Sequence, residues 1–143
     1  VDLRSRTSTG DPEGDVLEEH EAPGLEGLEH ALERLRGEVD LPVPAASAVK
    51  IDGVRAYARH RRGEDVEMPV RTMRVHELSL VDYADGRATL DLRVGSGTYV
   101  RSLADALGGH CVELRRTEIG PFSVAEADAE RVLPLPEALA RLP

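Results

Sequence analysis

Leu78-Ser79-Leu80-Val81-Asp82-Tyr83-Ala84-Asp85-Gly86-Arg87-Ala88-Thr89-Leu90-Asp91-Leu92-Arg93-Val94 carries a strand-turn-strand pattern. After the turn, Ala88, Leu90, Leu92 and Val94 alternate with polar residues at strict period two, the mark of a strand with one covered face. Before it, Leu78 and Leu80 alternate, but Val81 and Tyr83 fall on the opposite parity. The first strand is therefore apolar on both faces or bulged near Val81. Asp85-Gly86 is the dipeptide that closes tight hairpins, so residues 73–94 are expected to form an antiparallel pair.

Outward from this hairpin the chain alternates strands and helices. Val1 to Thr7 reads as a strand and 10–14 as the loop after it. Leu25, Leu28, Leu32 and Leu35 recur at helical spacing with Gly37 as the stop. Residues 41–51 are apolar with Pro42 and Pro44, hence extended, and Asp52-Gly53 marks a turn. Val54 to Arg62 reads as a short basic helix closed by Gly63. Tyr99 to Leu107 is expected to be helical and Cys111 to Arg116 a strand. Leu135, Leu139 and Leu142 after Pro134 and Pro136 predict a short terminal helix.

Composition excludes several classes. The 143 residues are 41% hydrophobic and 31% charged, which fits one soluble domain rather than a disordered or fibrous chain. Aromatics make up only 3%, so the core rests on Leu, Val, Ala and Ile, and any base-stacking surface must use Tyr57, Tyr83, Tyr99 or arginine planes. The single cysteine, Cys111, has no internal disulfide partner, and the five histidines lack zinc-site spacing. No metal site and no membrane span are expected, and a reducing, cytoplasmic setting is the default. The net charge of −9 is uneven: residues 11–40 hold eleven acids and two arginines, and the remainder is neutral. Within that remainder Lys50 to His76 carries seven bases against four acids. Such a basic strip is either a solvated helix face or a phosphate-binding surface, because phosphate contact follows the local field.

Gly97-Thr98-Tyr99-Val100-Arg101-Ser102-Leu103 puts a tyrosine and an arginine on one strand-to-helix turn. A lone arginine there is either a surface guanidinium or a fork that pairs with a carboxylate and holds it ionised. Tyr99 is either a core aromatic or a base-packing group. Lys50 can be a plain strand-end lysine, Arg115-Arg116 can cap carbonyls or touch phosphate, and His110 and Cys111 read as packing residues.

These motifs, in order, resemble the TruB-type tRNA pseudouridine synthases. Gly97 to Leu103, with Leu114-Arg115-Arg116-Thr117 and Gly120-Pro121-Phe122, resembles the last signature block. Pro44 to Tyr57 resembles P-x-x-S-A-x-K-x-x-G-x-R-x-Y, Gly63 to Arg71 resembles G-x-x-V-E-x-P-x-R, and Arg6 to Gly14 resembles the T-x-T-x-D-x-x-G run. The resemblance implies an α+β pseudouridine synthase fold, a mixed, mostly antiparallel sheet flanked by helices. Residues 1–122 are then the C-terminal part of the catalytic domain, and 123–143 a short segment with a terminal helix in place of a full RNA-binding domain.

It also implies isomerisation of uridine 55 in the T-arm stem-loop of tRNA to pseudouridine, by a monomeric enzyme with no cofactor. Arg101 would hold the nucleophilic aspartate and Tyr99 would pack against the flipped base. Lys50, Arg55, Arg59, Leu114 and Arg115 would bind substrate. The family's G-x-L-D-x-x-A-T-G block is absent from these 143 residues. The chain is therefore expected to lack its N-terminal part, to be inactive alone, and to leave Arg101 beside an open groove without a carboxylate equivalent to that aspartate unless a neighbouring acid substitutes. The stretch between Leu107 and His110 is shorter than the family's. A catalytically dead RNA-binding module of the same fold, an H/ACA-type RNA-guided relative, and an assembly protein using the acidic 11–40 segment are the other readings.

Overall fold

The computed structural model describes residues 1–64 and 66–142. Asp65, inside the matched 63–71 segment, and Pro143 lie outside the described residues. The chain forms two compact units, Val1–Val112 and Glu113–Pro143.

In the first unit the elements are β1 (Ser5–Thr7), β2 (Val16–Glu19), α1 (Leu25–Arg34), β3 (Gly37–Pro42), β4 (Lys50–Ile51), β5 (Val54–Arg55), α2 (Ala56–His60), β6 (Val70–Ala84), β7 (Arg87–Val94) and α3 (Val100–Ala106). Every strand pairing is antiparallel, in the order β3-β6-β7 for the main sheet and as the separate pairs β1-β2 and β4-β5. This is the α+β architecture that the resemblance implied.

The expected hairpin is present, and β6 starts three residues earlier than the 73–94 pattern. Its register shifts between Leu80 and Asp82, so Val81 is the extra residue of a bulge. That shift reconciles the parity: Leu78 is buried, Val81 is exposed, and Tyr83 turns back to donate its hydroxyl to the Pro23 carbonyl at 2.5 Å. A second shift, between Val75 and Glu77, has no counterpart in the sequence reading. Asp85 and Gly86 both adopt positive φ, as a two-residue hairpin turn of this hand requires.

One face of the sheet is covered by α1, whose Leu28 and Leu32 are almost wholly buried with Leu35, Val75, Leu78 and Ala88. Burying each such leucine contributes about 2 kcal/mol relative to exposure. The α1 stripe ends as read, with Gly37 at φ 88°. Beyond it Arg36 donates from Nε and Nη2 to the Leu78 carbonyl at 3.0 and 2.9 Å, which ties the helix end to β6. Leu3, Leu103 and Leu107 join the same core.

Three expectations are corrected. The Val1–Thr7 strand is regular only from Ser5; before that, Asp2 makes isolated bridges to Arg87 and His110, and Leu3 drops into the core. Residues 54–62 are not one helix. Val54–Arg55 pairs back on Lys50–Ile51 because Asp52 and Gly53, both at positive φ, close a second tight turn, and α2 spans only 56–60. Residues 111–116 form no strand, since after the His110 bridge the chain leaves the sheet. Residues 37–42 and 16–19 are strands that the reading omitted.

The second unit holds β8 (Glu118–Ile119) paired with β9 (Phe122–Ser123) across Gly120-Pro121, a 3-10 turn at Val124–Glu126, and α4 (Leu135–Ala140). The helix starts at Leu135 with Pro136 in its first turn, where a missing N–H costs nothing.

Candidate active site

The turn before α3 is hung on β6. Gly95 N–H and the Thr98 hydroxyl both donate to the Arg74 carbonyl, at 2.8 and 3.4 Å, and Gly97 takes φ 82° to reverse the chain. Tyr99 then caps α3 in an extended conformation and is half-buried, which places Arg101 in the first helical turn. Opposite stands the β1–β2 loop. It is closed by Ser8 N–H on the Asp15 carbonyl at 2.9 Å and by the Thr7 hydroxyl on the Asp11 carbonyl at 2.7 Å. Gly10, at φ 74°, lets this loop come close, since a Cβ there would lie 3.1 Å from Arg101 Cβ.

The Arg101 guanidinium binds three acceptors. Nη1 donates to the Thr9 carbonyl at 2.9 Å and to Asp11 Oδ2 at 3.0 Å, and Nη2 donates to the Ala46 carbonyl at 2.9 Å. Asp11 and Arg101 side chains are each 28% exposed, so the pair is sheltered without being sealed. Burial pushes the Asp11 carboxyl up, but the Thr9 hydroxyl, the Glu13 N–H and Arg101 together bring it below the ordinary aspartate value. Asp11 stays ionised and Arg101 stays aimed. The exception that the expectation left open is the case that holds: Asp11, a neighbouring acid of the same chain, takes one of the Arg101 nitrogens. Asp11 lay inside the Arg6–Gly14 run, yet nothing local marks it as a partner for a residue ninety positions on.

Two further ties hold α3 against the β1–β2 hairpin. Arg6 forks onto Asp105 from Nε and Nη2 at 2.8 and 2.9 Å. His20 sets Nε2 at 2.8 Å from the Gly108 carbonyl and Nδ1 at 3.1 Å from the Glu21 carbonyl. Carbonyls only accept, so the arrangement favours the protonated ring, which can donate from both nitrogens. Those two backbone carbonyls raise the His20 pKa above its ordinary value. The Ser102 hydroxyl, buried, donates to the Pro42 carbonyl at 2.6 Å and joins α3 to the end of β3.

The remaining expected site residues separate into groups. Lys50 faces Arg55 directly across β4–β5, and both are exposed. Arg55 and Arg61 lie over the Tyr57 ring, with guanidinium carbons 6.0 and 5.6 Å from its centroid. Arg59 is turned toward acids, 3.3 Å from Asp52 and 3.9 Å from Glu64, so its charge is already engaged. Leu114 and Arg115 are exposed and belong to the second unit. Among the described residues, none of Lys50, Arg55 and Arg59 hydrogen-bonds Tyr99 or Arg101; the 44–57 segment reaches the site through Ala46. Among the described residues no three His, Cys, Asp or Glu side chains are grouped to hold a metal ion, and no helix is long and apolar enough to cross a membrane.

Comparison with known proteins places the sequence among relatives of one name. Residues 1–100 match the family described as TruB family pseudouridylate synthase (N terminal domain). A Parasynechococcus marenigrum protein named tRNA pseudouridine synthase B is 42% identical over 153 residues, covering 100% of this chain and 51% of the relative. Synechococcus and Corynebacterium glutamicum proteins of the same name are 40% and 42% identical, covering 94% and 89% of this chain. The chain spans about half the length of the curated relatives it matches. With the motifs in order and a family match across most of its length, the chain belongs to the TruB family of pseudouridylate synthases.

Proposed function

We propose that this chain supplies the arginine-tyrosine half of a tRNA pseudouridine synthase site that acts on uridine 55 of the T-arm, with the nucleophilic aspartate entering from sequence outside these 143 residues. The observation that carries the reading is the state of Arg101. A guanidinium has five N–H donors. Three are used by Thr9, Asp11 and Ala46, which leaves Nε–H and one Nη2–H, on adjacent nitrogens, for a second carboxylate. Two-point pairing would keep that carboxylate ionised and oriented, as a nucleophile requires.

The reaction breaks the glycosidic bond to uracil N1, rotates the base and rejoins it through C5, whose proton is released. The target must leave the loop stack to reach the site. Tyr99 packs against the flipped base beside Arg101. Lys50, Arg55 and Arg61, with Tyr57 between the last two, give residues 43–63, an arm that carries β4, β5 and α2, its field toward the T-arm phosphates, and in the second unit Leu114 and Arg115 are taken by themselves as further substrate-binding residues. Arg59 contributes by ordering the arm. Residues 1–122 form part of the catalytic domain and 123–143 a short terminal segment. The site uses no metal or organic cofactor, and the enzyme works as a cytoplasmic monomer.

The test measures tritium release from C5-labelled uridine in T-arm transcripts, with the 143-residue chain alone and with an upstream segment bearing the family's aspartate block. Release at position 55 with the joined protein and none with the chain alone is expected. No release from any uridine by the joined protein would remove the proposal, as would full turnover by the chain alone.

A further inference from the structure

We propose that Thr9 sets the geometry of the Arg101–Asp11 pair, holding the arginine with its backbone and the aspartate with its side chain, so that Asp11 engages a single arginine nitrogen. This rests on reading Arg101 as the holder of a second carboxylate. The Thr9 carbonyl accepts from Arg101 Nη1 at 2.9 Å, and the Thr9 hydroxyl donates to Asp11 Oδ1 at 2.6 Å. Asp11 Oδ2 meets the same Nη1 at 3.0 Å. Thr9 therefore hydrogen-bonds both members of the pair.

The consequence lies in which oxygen is left over. A carboxylate beside an arginine favours the two-point fork, with both oxygens on two nitrogens, and Arg6–Asp105 in this molecule adopts it. Asp11 does not. Its Oδ1 is committed to the Thr9 hydroxyl and to the Glu13 N–H at 3.2 Å, so only Oδ2 reaches the guanidinium. Nε–H and one Nη2–H stay open for the incoming aspartate. Without the Thr9 hydroxyl, Asp11 is free to close the fork across Nη1 and Nη2, the one edge open to a carboxylate already on Nη1, and so to take up the Nη2 donor that the reaction needs.

The loop is built to keep Thr9 in place. The Thr7 hydroxyl holds the Asp11 carbonyl at 2.7 Å, which fixes the aspartate backbone and leaves its side-chain rotation to Thr9. Gly14 packs so closely that a Cβ there would overlap Thr9 Oγ1 and lie 2.6 Å from the Thr9 nitrogen. The carbonyl contact can come from any residue at position 9, but the hydroxyl contact needs Thr or Ser. Thr9 is on this argument a positioning residue, acting through Asp11 and Arg101.

The experiment reads the Arg101 side chain by NMR in the isotope-labelled 143-residue chain, comparing Thr9→Ser, Thr9→Val and Thr9→Ala. In the wild type and Thr9→Ser one Arg101 Nη2–H should exchange rapidly with water. In Thr9→Val and Thr9→Ala it should shift downfield and exchange more slowly as Asp11 takes it, and adding Asp11→Asn should reverse both changes. The alanine variant guards against a valine that misfolds. In the enzyme turning over tRNA, Thr9→Val should lower kcat about tenfold with KM unchanged, the scale of one hydrogen bond to a charged group, and Thr9→Ser should restore it. An Arg101 Nη2–H that is the same in all four chains overturns the inference. An Nη2–H that changes while kcat does not would leave the Thr9 hold standing and count against Arg101 as a participant in the reaction.

Discussion

Arg101 and the arginines of the 43–63 arm are the same residue type put to opposite uses. The Arg101 guanidinium is three-quarters covered and points at two carbonyls and a carboxylate drawn from positions 9, 11 and 46. Arg55 and Arg61 are exposed, stack on Tyr57, and have Lys50 facing Arg55 across a two-residue ladder. Like charges facing across a ladder destabilise it, and an exposed cation on a ring returns only about 0.5–1 kcal/mol. Among the described residues Lys50, Arg55 and Arg61 enter no ion pair, whereas the Arg101 charge is engaged in internal order. One region gives geometry and the other gives field.

The sharpest way to break the comparison is at Arg101. In a turnover-competent enzyme Arg101→Ala should lower kcat/KM by roughly a hundredfold or more, the scale of losing a positioned charge, and Arg101→Lys should recover little because an ammonium cannot serve three acceptors in one plane. Steady-state kinetics on T-arm RNA checks this. Near-normal rates for either variant would put Arg101 in the same category as the arm.

The acid side of the stability profile comes next. Asp2 and Asp11 are both held below the ordinary aspartate value of 3.8, Asp2 chiefly by its fork with Arg4 and Asp11 by Thr9, Glu13 N–H and Arg101 against burial. A depressed folded-state pKa contributes stability that is fully present above 3.8 and is lost as the pH falls through the folded values. Thermal melts between pH 5 and pH 2 should show that loss, and Asp11→Asn should reduce its steepness.

The arm should behave differently on every count. Lys50→Ala, Arg55→Ala and Arg61→Ala should leave the melting temperature within a degree or two, in line with about 0.5 kcal/mol for exposed substitutions. Each should weaken RNA binding across sequences and reduce the salt slope by about one. Filter binding at several salt concentrations measures it. A loss of stability with an unchanged salt slope would show that the arm's charges are structural after all.

The smallest effect belongs to His20. Its pKa is raised by the Glu21 and Gly108 carbonyls, with Glu18 adding to the shift and Arg6 opposing it. Its contribution is therefore full below the unfolded value of 6.5 and fades as the pH rises through the folded one. Melts at pH 6 and pH 8 should differ slightly more in the wild type than in His20→Gln.

What was legible in the sequence was what is local. The β6–β7 hairpin, α1 and α3 each announce themselves through period, turn dipeptide or stop glycine within a dozen or so residues, and even the Val81 bulge shows as a break in parity. The β2 strand was hidden because all four of its residues are exposed and no alternation survives. The β3 strand was hidden because Gly37 and Pro42 read as punctuation, though an edge strand tolerates both at its ends. Residues 111–116 misled in the other direction, since nothing local says that a strand-like run leaves the sheet. At the site, Tyr99 and Arg101 were visible as a motif on a turn, while Thr9, Asp11 and Ala46 fell inside the Arg6–Gly14 and Pro44–Tyr57 runs with nothing in either run to show that they would meet Arg101. Their roles come from tertiary approach alone.

That approach has a cost in time. The hydrogen bonds of Arg101 close loops of 92, 90 and 55 residues, whereas the β6–β7 turn joins neighbours. Short closures form early and long ones wait, because chain entropy must be offset before a distant contact adds anything. During synthesis, at about 5–20 residues per second, Thr9 and Asp11 leave the ribosome some seconds before Arg101 exists. The β1–β2 loop must hold its shape through its own Thr7, Ser8 and Thr9 hydroxyls until α3 arrives, so the arginine completes an apparatus that its partners have already half assembled.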